Sequence, residues 1–142
     1  MSQSTLFTRW TGWAPQLHSL LRIVAAFIFT SAGTMKLFAF PVAALPGGGT
    51  VSLASQLGIG ATLEMLGGAL LLIGLYTRPV AFLLSGEMAV AYFQFHFPQS
   101  FWPVANHGVG AALFAFVWLY FSAAGAGPWS LDALRKKHQG SP

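Results

Sequence analysis

Residues 57–97 read LGIGATLEMLGGALLLIGLYTRPVAFLLSGEMAVAYFQFHF, and this stretch decides the fold. A helix that crosses a hydrocarbon core needs about 20 mainly apolar residues. The stretch holds two such runs, 57–76 and 79–97, with only Thr77 and Arg78 between them. Pro79 suits the first turn of a helix, where its missing N–H would have no partner anyway. The pattern predicts a tight antiparallel helical pair. Similar runs lie on either side, at about 17–38 and 104–123.

Composition points the same way. Of 142 residues, 55% are hydrophobic and 7% charged, whereas a soluble domain carries roughly 25% charged residues. Seven basic and three acidic side chains cannot cover the surface of a soluble fold of this size. The expectation is an all-α integral membrane four-helix bundle, a single domain over 1–142. Segment 1–16 would lie at the membrane interface and 124–142 would form a cytoplasmic tail. An isoelectric point near 10 is also found in nucleic-acid-binding proteins, but no polar domain gathers the basic residues to track phosphates, so no nucleic-acid partner is expected. The absence of cysteine excludes disulfides, thiol relays, thiolate metal sites and Fe–S clusters. Residues 1–16 are polar and aromatic, and no small-residue cleavage site follows them, so a removable signal peptide is not expected.

Four spans put both termini and the middle turn on one side. Arg9, Arg78, Arg135, Lys136 and Lys137 then fall together, with Lys36 near the other end. The positive-inside rule places both termini of such a multi-pass protein in the cytoplasm. Leu6, Phe7, Trp10 and Trp13 recur at helical spacing, as in a short interfacial helix. Ser130 can cap a last short helix with Asp132 in its first turn. The connection from Ala39 to Gln56, with Pro41, Pro46 and Gly47–Gly49, reads as a flexible cap, and Phe101 and Trp102 fit an aromatic belt.

Ionisable groups within spans are the default functional candidates of a membrane protein, because each is costly to bury. Six are singled out: Arg22, Lys36, Glu64, Glu87, His96 and His107. Gly60, Glu64, Gly67 and Gly68 share a stripe of small residues that another helix can approach. Glu87, Ala91 and Gln94 form a second stripe, with His96 about 180° from Glu87. Depth counted at about 1.5 Å per residue pairs Arg22 with Glu87 and Lys36 with Glu64. Arg22, Lys36, Glu64, Glu87 and Gln94 are therefore expected to form a buried polar network. One reading makes these pairs devices that fix helix register. The sharper one makes Glu64 or Glu87 a catalytic, proton-passing or ligand-binding carboxyl. His96, Asn106, His107 and Trp102 are candidates for ligand binding near the outer surface, where neighbouring rings suit a flat head group such as a quinone. No helical i, i+4 pair supports haem or metal ligation by the two histidines, and no metal site is predicted.

The sequence resembles the DoxX family of small bacterial and archaeal membrane proteins. The resemblance rests on Leu21-Arg22, Gly33-Thr34-Met35-Lys36-Leu37-Phe38, Glu64-Met65-Leu66-Gly67-Gly68, Gly74-Leu75-Tyr76-Thr77-Arg78-Pro79, Gly86-Glu87-Met88, His96, Pro98, Asn106 and Gly127-Pro128-Trp129-Ser130-Leu131-Asp132, in that order. It implies a four-helix inner-membrane protein, and named relatives are linked to a terminal quinol oxidase and to thiosulfate:quinone oxidoreduction as one subunit among several. The family pattern after the asparagine often reads two glycines and a glutamate. Here His107, Gly108 and Val109 stand there, so an activity resting on that glutamate is missing or passes to His107.

The leading expectation is an accessory or quinone-interacting subunit of a membrane redox system, with electrons supplied by a cofactor-bearing partner subunit. The alternatives are a small-solute or proton-coupled permease or binding module, which with four spans would require a homo-oligomer, and a non-catalytic membrane scaffold.

Overall fold

The computed structural model describes residues 8–139, and these are entirely helical and irregular, with no strand among them. After a short helical turn at 8–11 come α1 (Ala14–Phe38), α2 (Gln56–Ile73), α3 (Thr77–Ala91), α4 (Val109–Ala124) and α5 (Leu131–Gln139). A π-helical segment, Tyr92–His96, carries α3 on without a break. The helices α1 and α2 are long and apolar enough to cross a membrane, and α4 is apolar but shorter.

The helix ends differ from the hydropathy boundaries because caps, not hydrophobicity, set them. Pro15 sits in the first turn of α1, so that helix starts at Ala14 instead of residue 17. On α2, the Ser55 hydroxyl accepts from the Gly58 N–H at 3.0 Å. The same helix stops at Ile73, short of residue 76, because Gly74 takes a left-handed φ of 69°. There the N–H groups of Gly74 and Leu75 return to the carbonyls of Leu71 and Leu70 at 3.2 and 2.9 Å, a glycine-terminated Schellman closure. Thr77 and Arg78 belong to α3 itself, with Pro79 in its first turn. The fourth helix starts at Val109, five residues after the boundary expected at 104, because a turn pinned by Asn106 occupies the intervening residues.

The fold is built from two close helix pairs, α1 with α2 and α3 with α4, joined by α2 against α3. Gly33 makes the first pair possible: a β-carbon there would stand 2.6 Å from the Met65 backbone nitrogen and 2.7 Å from the Ala61 carbonyl oxygen. At the centre, Ala25, Ala26, Phe29, Leu71, Ala81, Leu84, Met88, Trp118 and Phe121 form the core, with Phe29 edge-on to Trp118 at 5.3 Å. Outward faces are also apolar: Phe27, Leu66, Phe82 and Phe116 are all more than half exposed. Trp10 and Trp13 are exposed likewise, whereas Leu6 and Phe7 lie outside the described residues. The last helix has the expected cap, with the Ala133 N–H donating to the Ser130 hydroxyl at 3.1 Å.

Because the two atoms nearest a β-carbon at Gly33 are backbone, they cannot rotate away. Gly33→Val is expected to cost about 1–3 kcal/mol, read as a lowered midpoint in thermal unfolding of the purified protein, while valine at the open position Gly86 leaves the midpoint nearly unchanged.

Candidate functional site

The ionisable side chains divide into two clusters, and the division differs from the one depth counting predicts. Lys36, near the end of α1, reaches across to α2, where its ammonium contacts both Glu64 oxygens at 2.6 and 2.7 Å. Glu64 is only 4% exposed. This is the partner expected from depth.

Arg22 does not meet Glu87. Its guanidinium, fully buried, donates from Nε to the Ala126 carbonyl at 2.9 Å and from Nη1 to those of Leu72, at 2.8 Å, and Leu71; Nη2 donates to the Trp129 carbonyl. Leu71 and Leu72 lie in the last turn of α2, whose carbonyls lack an i+4 partner within the helix, although Leu71 also accepts from the Gly74 N–H. A cation is favourable there both as a donor and against the helix dipole. Counting charges missed this partner because backbone carbonyls carry no letter in a sequence.

Two more charges cap helices at the same end. Arg78 donates to the Ser122 and Ala123 carbonyls at the end of α4. Asp132 accepts from the Tyr76 and Thr77 N–H groups at 2.9 and 2.8 Å, closing the start of α3. His18 joins them through a 2.8 Å bond from Nε2 to the Gly125 carbonyl. A carbonyl only accepts, so Nε2 carries the hydrogen, and in the neutral ring Nδ1 accepts from the Tyr120 hydroxyl at 3.1 Å. Sequence reasoning assigned no role to His18 and read Arg78 only as an orientation charge. The dipeptide Thr77-Arg78 at a helix start, facing a C-terminal Asp132, was the available signal.

Glu87 turns toward α2 instead. Its Oε1 lies 3.2 Å from where a β-carbon on Gly60 would stand, and the charges bearing on it are those of Glu64 and Lys36. The arithmetic of the helical pair explains this. Glu64 lies nine residues before the end of α2 and Glu87 ten after the start of α3, so about 1.5 Å per residue brings them nearly level. Among the described residues three buried side-chain polar atoms lack a partner: Glu87 Oε2, Thr77 Oγ1 and Trp118 Nε1. Glu87 is the one that can carry a full charge, for which isolation costs most.

These groups line one groove of about 790 Å³ between α2 and α3. Lys36, Glu64, Glu87 and His96 supply its polar wall; Ile59, Phe82, Leu83 and Val90 supply an apolar rim. His96 therefore joins Glu87 in one cavity although the two lie on opposed helical directions; the π-helical turn at Tyr92–His96 changes the register between them. The His96 Nδ1 donates to the Asn106 carbonyl at 3.0 Å. In the neutral ring this leaves Nε2 as an acceptor.

The remaining candidates stand elsewhere. Gln94 is exposed, outside the buried network, and accepts from the Gln56 amide across α2 and α3. Asn106 is fully buried, but its amide is engaged in the turn: Nδ2 donates to the Ser100 carbonyl at 2.8 Å, and Oδ1 accepts from the Gly108 N–H at 2.7 Å. His107 is exposed with φ at 57°, the left-handed region that favours glycine, and it does not line the groove. Trp102 is exposed and lines a separate, aromatic groove between α3 and α4.

Two stability predictions follow from these clusters. Lys36→Met leaves Glu64 as an uncompensated buried charge and is expected to cost about 3 kcal/mol, most of it recovered in the double variant Lys36→Met/Glu64→Leu, as measured by denaturant unfolding. Asp132 is half-buried, and burial pushes its carboxyl upward; the bonds from Thr77 and Tyr76, with Arg135 nearby, outweigh this and hold it below the usual carboxylate range. A depressed acid stabilises the fold above its unfolded pKa, and this is lost as pH falls through the folded one. Asp132→Ala should therefore cost about 1 kcal/mol at neutral pH, and wild type and variant should converge on acidification.

The DoxX family profile matches residues 17–97, which span α1 to the end of the π-helical turn. The chain is 41% identical over 123 residues to an uncharacterized protein of Haemophilus influenzae, covering 84% of this chain and 91% of that protein. No solved structure matches. The Lys36–Glu64 pair, Arg22 and Glu87 all fall within the matched region, and the chain belongs to the DoxX family.

Proposed function

We propose that this DoxX-family chain is a multi-pass protein of the bacterial or archaeal inner membrane in which α1 to α4 span the bilayer with both termini in the cytoplasm. In this reading the groove between α2 and α3 binds the ring of a lipid-soluble quinone, and the chain serves as an accessory subunit of a membrane redox system. The observation that carries the binding reading is the buried, unpartnered Glu87 Oε2 in a groove that also holds the Lys36–Glu64 pair.

The membrane placement is supported by apolar outward faces on all four helices and by the concentration of basic residues at one end. The residues present fit a quinone in three respects. Its volume lies in the range of small-molecule sites. Exposed Ile59, Phe82, Leu83 and Val90 at the rim give an apolar ligand a route from lipid instead of from water. The polar wall combines a donor, the Lys36 ammonium, with acceptors on Glu87 and His96, matching a head group that offers carbonyl oxygens when oxidised and hydroxyls when reduced. A quinone, when bound, supplies the redox chemistry; this chain's groups orient the ring and exchange protons with its oxygens. The electrons come from a partner subunit, because the cysteine-free chain has no thiol route of its own.

Since Oε2 has no partner in the protein, Glu87→Gln breaks no bond to that oxygen. Titrating the protein in mild detergent with a short-chain benzoquinone is expected to show binding that Glu87→Gln weakens about tenfold, with the melting temperature preserved. Wild-type protein that neither binds the quinone nor yields any on solvent extraction contradicts the proposal.

A further inference from the structure

At the opposite end from the groove, α5 folds back beside the start of α3 and the end of α4, leaving a cleft of about 530 Å³. One face of α5 lines it through Asp132, Arg135, Lys136 and Gln139, at the i, i+3, i+4, i+7 spacing that stacks side chains on one side of a helix. Arg78 closes the other side, and the segment Gly125–Gly127 forms a wall with almost no side chain. The one acid in the cleft already receives two backbone N–H bonds from Tyr76 and Thr77. Three cations therefore face the cleft against a single, already coordinated carboxylate.

The surroundings are those of a membrane surface. Tyr76 and Trp129 are each about half exposed, and Leu131 and Leu134 stand exposed on an adjoining face of α5. Arg135 lies 4.7 Å over the Tyr76 ring, which positions its guanidinium at the mouth of the cleft. Aromatic and leucine side chains beside a cationic face are the features by which a short helix lies in a lipid headgroup layer.

We propose that this cleft binds a phosphate oxyanion, and that its source is the headgroup of an anionic phospholipid in the cytoplasmic leaflet. Arg135 and Lys136 meet the phosphate from α5 and Arg78 from α3, while Leu131 and Leu134 rest against the adjoining acyl region. The lipid thereby fastens α5 to the membrane, holding Asp132 on the α3 start and the Gly125–Trp129 segment over Arg22. The inference rests on the membrane placement above, but not on the quinone reading of the groove.

The test is reconstitution of the full chain into nanodiscs of phosphatidylcholine, with and without phosphatidylglycerol. The retained lipid is counted by native mass spectrometry and stability is followed by thermal unfolding. Phosphatidylglycerol is expected to be retained in preference to phosphatidylcholine and to raise the melting temperature. Arg135→Gln should weaken that retention about fivefold, and Arg9→Gln, which removes a charge outside the cleft, should leave it within about twofold. Equal losses in the two variants would mean a diffuse positive field, and a matching thermal shift from millimolar inorganic phosphate would mean a soluble ligand; either overturns the lipid site. Insertion without lipid preference overturns the site alone, whereas failure to enter phosphatidylcholine discs overturns the membrane placement with it.

Discussion

The structure depends on a buried guanidinium surrounded by backbone carbonyls. Arg22 touches the last turn of α2 and the Gly125–Trp129 segment at once, so one side chain joins α1, α2 and the C-terminal region. A charge is tolerated inside apolar protein only when its hydrogen-bonding groups are filled. Carbonyls at a helix end meet that need without a countercharge, because the helix dipole supplies partial negative charge. The planar fork of arginine can address several carbonyls in fixed directions, which an ammonium cannot. Arg78 and Asp132 repeat the logic at the ends of α4 and the start of α3. This end of the molecule is thus a set of helix termini closed by three charged side chains.

That closure determines what happens at the other polar site. With Arg22 committed to carbonyls, Glu87 has no basic partner of its own, and it faces a region where Lys36 is already held by both oxygens of Glu64. Two acids, one ammonium and the His96 imidazole share the groove. Such an arrangement is costly as architecture and useful as chemistry, since an unpartnered carboxyl oxygen in a groove with an apolar rim is a ready hydrogen-bonding site for a ligand. Gly60 allows α2 to stand close enough for Glu87 to enter the shared space.

Much of the fold was legible in the letters. The apolar runs located all four long helices, the Thr77-Arg78-Pro79 break placed the turn between α2 and α3 a few residues beyond its actual position at 74–76, and Ser130 announced α5. The Lys36–Glu64 pair was legible because both residues are charged and their heights agree. What was not legible depended on backbone groups. Hydropathy could not see that Gly74 ends α2 early or that Asn106 delays α4, since both are matters of capping and φ. The partner of Arg22 was hidden for the same reason, and the false Arg22–Glu87 pair followed from treating charge balance as something only side chains can satisfy. The π-helical turn, which brings His96 into the groove beside Glu87, likewise breaks the regular helical angle on which their separation was reckoned.

Glu87 belongs with Lys36 and Glu64 and is independent of Arg22. Double-mutant cycles in unfolding free energy test it most directly, combining Glu87→Gln with Arg22→Gln in one cycle and with Lys36→Gln in the other. Additivity within about 0.5 kcal/mol is expected for Arg22 with Glu87, and a coupling above that for Lys36 with Glu87. A strong coupling between Arg22 and Glu87, with none to Lys36, would contradict it.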